Sequence, residues 1–207
     1  MLFRSINKDV KAETLKKALG LLTKAKVCQK VKASHANGVP ILSELNEKAF
    51  KAIFLDVGLV SSQLGVRLNK LNQLHDINLV NSGAIAEQVV GQLLQTVEPF
   101  YVEPSLCYWV RERKSSNAEL DYLIQHGINI IPIEVKSGNA GTLKSLHVFM
   151  NEKQLSTAVR INSDTLSLTK VDVKIHQEQQ VKYNLLSIPF YMISQIHRLL
   201  ESLSDEL

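Results

Sequence analysis

A chain of 207 residues, 45% of them hydrophobic, carries enough apolar material to bury a real core, so a folded protein of one large or two small domains is expected rather than a disordered one. No run approaches the ~20 apolar residues of a membrane helix, and MLFRSINKDVKAE lacks the apolar stretch of a signal peptide, which points to a cytoplasmic protein with no membrane partner. The net charge of +4 conceals an asymmetry: residues 1–35 hold nine Lys or Arg against Asp9 and Glu13, a net of +7, which leaves −3 on the other 172 residues.

From Asp9 to Ala25 the apolar residues Leu15, Ala18, Leu19 and Leu22 recur at helical spacing, with Lys16, Lys17 and Lys24 off that stripe. Next, KVCQKVKAS and VPILSEL read as two strands around the turn-rich HANG. A helix feeding a hairpin is the second half of a winged helix. Residues 1–50 are therefore expected to form a partial winged-helix-like basic segment, completed only if Leu2 to Ile6 stands in for the missing helices, and residues 51–207 a second domain. Lys16, Lys17, Lys24, Lys26, Lys30 and Lys32 are its candidates for contact with nucleic-acid phosphates. A solvated, lysine-rich helix face would have the same composition.

KAFKAIFLDVGLVSSQL, from Lys48 to Leu64, starts as the strand AIFLD and turns at Gly58, with Asp56 read as a turn or helix cap rather than a catalytic acid. Residues 65–80 read as a polar linker in which Leu68, Leu71 and Leu74 hint at a short helix. Asn81 and Ser82 open a helix running to about Gln95. Its apolar arc is Ala86, Val89, Val90, Leu93 and Leu94, its far side is Gln88, Gln92 and Gln95, and Glu87 lies at the edge of the arc. LCYWVRE, residues 106–112, is the next strand. Tyr108 and Trp109 fit a core better than a base-stacking platform, while Arg111, Arg113 and Lys114 are candidate phosphate contacts.

AELDYLIQHGINIIPIEVKSG then reads as two strands joined at His126-Gly127. Strict alternation puts Glu119, Asp121 and Leu123 on one face of the first strand and Leu120, Tyr122 and Ile124 on the other. On the second strand Ile131, Ile133 and Val135 share a face, and Glu134 and Lys136 share the opposite one. Charge inside strands this apolar needs a reason. Paired as a hairpin, Asp121, Glu134 and Lys136 converge, which suits two carboxylates holding a divalent cation beside an ammonium. Pro132 removes a ladder donor, so an edge position or bulge is expected there. LKSLHVFMNEKQL continues as a helix and TAVRIN as a strand. The order helix, three strands, helix, strand predicts an α/β fold, a mixed β-sheet flanked by helices. Beyond Ser163, Val171, Val173 and Ile175 alternate with charges, and a helix follows Pro189. Cys28 and Cys107 are spaced unlike metal ligands and read as buried free thiols.

Asp121 followed thirteen positions later by Glu134-Val135-Lys136 resembles the PD-(D/E)XK nuclease-like superfamily. The wider series FLDVGL, GAIAEQVV, YWVRERKSSNAELDYLI, IPIEVKSG and LKSL is similar to one of its branches, a C-terminal domain of uncharacterised function carried by prokaryotic AAA-type ATPases. The likeness spans roughly Lys51 to Arg160. It implies a restriction-endonuclease-like core, Mg2+ or Mn2+ held by Asp121, Glu134 and Glu87, Lys136 positioning the attacking water or stabilising developing phosphate charge, and a winged-helix-like segment ahead of the core. It also implies DNA as partner and an ATPase module that this chain lacks: SGNAGTLKS does not have the glycine spacing of G-x-x-x-x-G-K-[ST], so no ATP site is expected here. Two functions follow, a metal-dependent nuclease and a non-catalytic DNA- or protein-binding regulatory module of the same fold.

Overall fold

The computed structural model describes residues 11–63, 82–111, 117–138, 141–175 and 179–204. Their elements are α1 (Ala12–Lys24), β1 (Cys28–Ser34), a 3-10 turn (Ile41–Glu44), β2 (Leu45–Phe54), α2 (Val57–Gln63) and α3 (Ser82–Leu94). Then come β3 (Cys107–Arg111), β4 (Ala118–His126), β5 (Asn129–Val135), α4 (Lys144–Lys153), β6 (Thr157–Asn162), β7 (Ser167–Lys174) and β8 (Gln180–Pro189). A second 3-10 stretch (Phe190–Gln195) and α5 (Ile196–Ser204) close the series. The fold is α/β: all eight strands form one mixed sheet in the order β2-β1-β3-β4-β5-β6-β8-β7, flanked by helices.

Alternation along the strands divides the core in two. Ile131, Ile133, Val135, Val159, Ile161 and Ile188 pack with Val90 and Leu94 of α3 and Ile196 and Leu200 of α5. Leu120, Leu123, Ile130, Ala158 and Leu185 pack instead with Leu146, Phe149 and Met150 of α4. Strands β5 and β6 are parallel with α4 between them, and β8 runs parallel to β6, so these three C-terminal strand ends lie on one side of the sheet. No helix of the described residues is long and apolar enough to cross a membrane.

The expected N-terminal helix and its first strand form, but the expected wing does not. The strand expected at VPILSEL is the 3-10 turn, and β1 pairs instead with β2, from Cys28↔Phe54 to Ser34↔Leu45. β1 also pairs in parallel with β3, so residues 45–54 belong to the common sheet. Leu2 to Ile6, the linker at 65–80 and Asn81 lie outside the described residues. Both cysteines are buried free thiols, and burial pushes the Cys107 thiol up to about 11.

Pro132 is neither at an edge nor in a bulge: β5 lies between β4 and β6. The ladder accommodates it by parity. Val135 N–H points toward β4 and Lys136 N–H toward β6, where it donates to Ile161 C=O, so alternation turns the Pro132 nitrogen toward the start of β6. The first β5–β6 pair is Ile133↔Val159, and the missing donor falls just before it.

Candidate functional site

The β4–β5 hairpin supplies the first charges. Gly127, with φ of 58°, occupies the first of two turn residues between the paired His126 and Asn129, a position that needs the left-handed region. Pairing then runs regularly back to Tyr122↔Ile133 and stops. Beyond that point the Asp121 carboxylate takes the place of a ladder carbonyl, accepting the Val135 N–H at 2.7 Å through Oδ2.

Strict alternation fails in β4, and the sequence-based faces need correction. Against β3 the register moves from Cys107↔Leu123 to Trp109↔Leu120, three residues of β4 for two of β3, which is a β-bulge. As a result Leu120 and Leu123 share the α4-side core, while Tyr122 joins Ile124 on the α3 side. The bulge thus sets Tyr122 directly against α3. Its hydroxyl donates to Glu87 C=O at 2.8 Å, and Gly91 makes the approach possible: a Cβ there would clash with the Tyr122 oxygen and Ile53 Cδ1.

Helix α3 brings Glu87. Gln88 and Gln92 do not face away as the periodicity suggested. Gln88 accepts the Phe54 N–H at 3.1 Å and donates to Ala52 C=O at 3.0 Å, and Gln92 accepts the Val57 N–H at 3.1 Å. The two amides clamp the end of β2 and the start of α2 to α3, and the clamp delivers a residue that lies outside every sequence motif. Lys51 of β2 places its Nζ 2.7 Å from Glu87 Oε1, 2.7 Å from Glu119 Oε1 and 4.0 Å from Asp121 Oδ1. Two ring faces border it, with Tyr108 and Tyr122 centroids at 5.0 and 5.9 Å. A signal for Lys51 existed: in the run KAI it shares a strand face with Ile53, which is fully buried.

Glu134 comes from the opposite row of β5. Its side chain is 9% exposed, Oε1 accepts from Lys136 Nζ at 2.7 Å, and Oε2 is buried with no hydrogen-bond partner. Two groups of charge therefore meet where the β4–β5 ladder opens: Glu87, Glu119 and Lys51 around one side of Asp121, and Glu134 with Lys136 beyond it. Burial first, then the charges of Glu134 and Glu87, push the Asp121 carboxyl up to about 7. Burial also raises Glu134, against the lowering effect of Lys136. Burial alone would lower the Lys51 ammonium, but Glu87 and Glu119 raise it above its ordinary value. Among the described residues no three His, Cys, Asp or Glu side chains are placed to hold one metal ion between them.

The proposed nucleic-acid contacts fare unevenly. Lys16, Lys24 and Lys26 are exposed, Lys17 pairs with Glu13 at 3.0 Å and Lys32 with Glu47 at 2.6 Å, and Lys30 lies over the Phe50 ring at 5.2 Å. Arg111 is 17% exposed and faces Glu152 at 3.5 Å, so it is held inside rather than offered to phosphate. Arg113 and Lys114 lie outside the described residues. Tyr108 and Trp109 are buried in the core, Trp109 edge-on to Phe149, and Asp56 accepts the Gly58 N–H at 2.6 Å as a turn residue.

A family described as a domain of unknown function, DUF4143, matches residues 82–190, more than half of the chain. The chain belongs to the DUF4143 family. Glu87, Glu119, Asp121, Glu134 and Lys136 all lie in the DUF4143 segment. A second domain of unknown function, DUF8612, matches residues 2–70 and contains Lys51. No curated protein matches the chain.

Proposed function

We propose that this chain is a nuclease-like domain that cleaves the phosphodiester backbone of DNA with Mg2+ or Mn2+ held by Asp121 and Glu134. The supporting observation is the unpartnered, buried Glu134 Oε2 near an Asp121 carboxyl that burial and neighbouring acids raise to about 7: crowded carboxylates short of positive charge. Two carboxylates fit Mg2+, which keeps several of its own waters. When bound, such a cation acidifies a water and takes up phosphate charge. Lys136 keeps an ammonium 2.7 Å from Glu134, where it holds a phosphate oxygen or orients the attacking water. Exposed Lys16, Lys24 and Lys26 add phosphate contacts remote from the chemistry. The likeness to the domain carried by AAA-type ATPases supports a separate ATPase module as partner.

A specific observation favours a second reading, a non-catalytic DNA- or protein-binding module. Glu87, the third acid of the metal-site expectation, is already satisfied by Lys51, as a structural ion network requires. Incubating the chain with supercoiled and single-stranded DNA in Mn2+, beside Asp121→Asn and Glu134→Gln, separates the two. Cleavage lost in both variants supports the nuclease. DNA binding without cleavage, in a chain whose melting ignores Mn2+, leaves the binding module.

A further inference from the structure

Lys51 reaches the site from a different part of the chain than every acid it touches. It stands on β2 in the segment matched by DUF8612, whereas Glu87, Glu119 and Asp121 lie in the DUF4143 segment. Three carboxylates and two tyrosine rings surround its ammonium, whose side chain is 19% exposed. Carboxylate oxygens are the ligands of hard cations. Here the Glu87 and Glu119 oxygens at 2.7 Å are spent on a cation covalently tied to the sheet. That arrangement also explains why these acids are not grouped around a free metal position.

We infer that Lys51 is a tethered counter-cation that competes with the divalent cation for the acids around Asp121, so that the N-terminal strands set the metal affinity of the site. The inference rests on the metal-site reading above. An incoming divalent cation meets the carboxylates already neutralised on the Lys51 side, and it either displaces the ammonium or binds at its repulsive distance. Removing that charge leaves the same oxygens one unit more negative. Lys51→Met keeps an apolar stem against Tyr108 and Tyr122 and deletes the charge together with its hydrogen bonds to Glu87 and Glu119.

The test is isothermal titration of Mn2+ into the full chain. With a unit charge this close at the dielectric of a partly buried site, Lys51→Met should bind at least about tenfold more tightly than the wild type. Lys51→Arg, which retains the charge, should bind no more tightly than the wild type. Circular dichroism establishes folding, and Lys51→Gln, neutral but still a hydrogen-bond donor, carries the same comparison if Lys51→Met does not fold. Equal or weaker binding by the neutral variants overturns the competitor role. If Asp121→Asn abolishes Mn2+ binding in that same series, the metal site stands and only the role of Lys51 falls. Absence of binding in wild type and neutral variants alike overturns both.

Discussion

Asp121→Asn separates a metal site from a structural ion network, because the two assign opposite signs to the same carboxylate. The folded protein raises this carboxyl from 3.8 to about 7. A raised folded-state value means the folded chain holds the proton more tightly than the unfolded one. The corresponding stability is fully present below about pH 4 and is lost as pH rises through about 7. Three units at 1.36 kcal/mol each set the cost of the ionised form at on the order of 4 kcal/mol. Asparagine carries no such cost, and its carbonyl still accepts the Val135 N–H. Without divalent cation at pH 8, Asp121→Asn should therefore be more stable than the wild type by roughly 2–4 kcal/mol, or about 5–15 °C in melting temperature for a chain of this size. The difference should shrink toward pH 4 as the wild-type carboxyl protonates. Mn2+ at about a hundred times its dissociation constant should raise the wild type by ~2.7 kcal/mol and leave the variant unmoved. Thermal melts of both proteins at pH 4, 6 and 8, with and without Mn2+, give all of these differences. A variant less stable than wild type at pH 8 without cation refutes the reasoning, since the ionised Asp121 would then be favoured by Lys51 and Val135, and deleting one partner of a buried pair costs about 3–5 kcal/mol.

Two further outcomes come from the packing around the site and a third from the exposed N-terminal lysines. Gly91→Ala drives a Cβ into the Tyr122 hydroxyl and Ile53, so overpacking of about 1–3 kcal/mol should outweigh the helix-propensity gain of about 1 kcal/mol, giving a net loss in chemical denaturation. Gln88→Leu strands the Phe54 N–H and the Ala52 carbonyl together, and urea unfolding should show a loss of about 2 kcal/mol, where an exposed glutamine would give almost none. If the exposed Lys16, Lys24 and Lys26 contact phosphates, fluorescence anisotropy with duplex DNA should show a binding constant falling by about 0.9 log units per tenfold rise in salt for each phosphate neutralised, and Lys16→Glu with Lys24→Glu should flatten that slope.

Much of the fold was legible because most strands obey a local rule. Helix α3, strands β3 to β5, helix α4 and β6 follow from apolar periodicity and turn residues alone, and Glu134 and Lys136 announce themselves as charges in an otherwise apolar strand. Three features were not legible, each for a physical reason. The bulge at Asp121 and Tyr122 adds one residue to β4 relative to β3, and alternation read along one strand cannot register a mismatch with its neighbour. The glutamines of α3 look solvent-facing because hydropathy scores an amide as polar wherever it points. Here the end of β2 supplies a donor and an acceptor to Gln88, and the first residue of α2 a donor to Gln92, which turns them into a clamp. Pro132 argues for an edge strand only if its missing donor faces a partner, and its nitrogen instead falls ahead of the β6 ladder. Lys51 was overlooked for a different cause. Its strand was assigned from the apolar run, and its charge was never asked to account for itself, although it shares a face with the buried Ile53. A charge in a core-facing row implies an opposite charge across the sheet, and the acids of α3 and β4 were the ones already singled out. Applied to every strand rather than only to the motif-bearing one, that requirement asks Lys51 for a carboxylate partner, and Glu87 and Glu119 supply it. It thereby makes the neutralisation of the acidic site, rather than its metal content, the first question to ask of it.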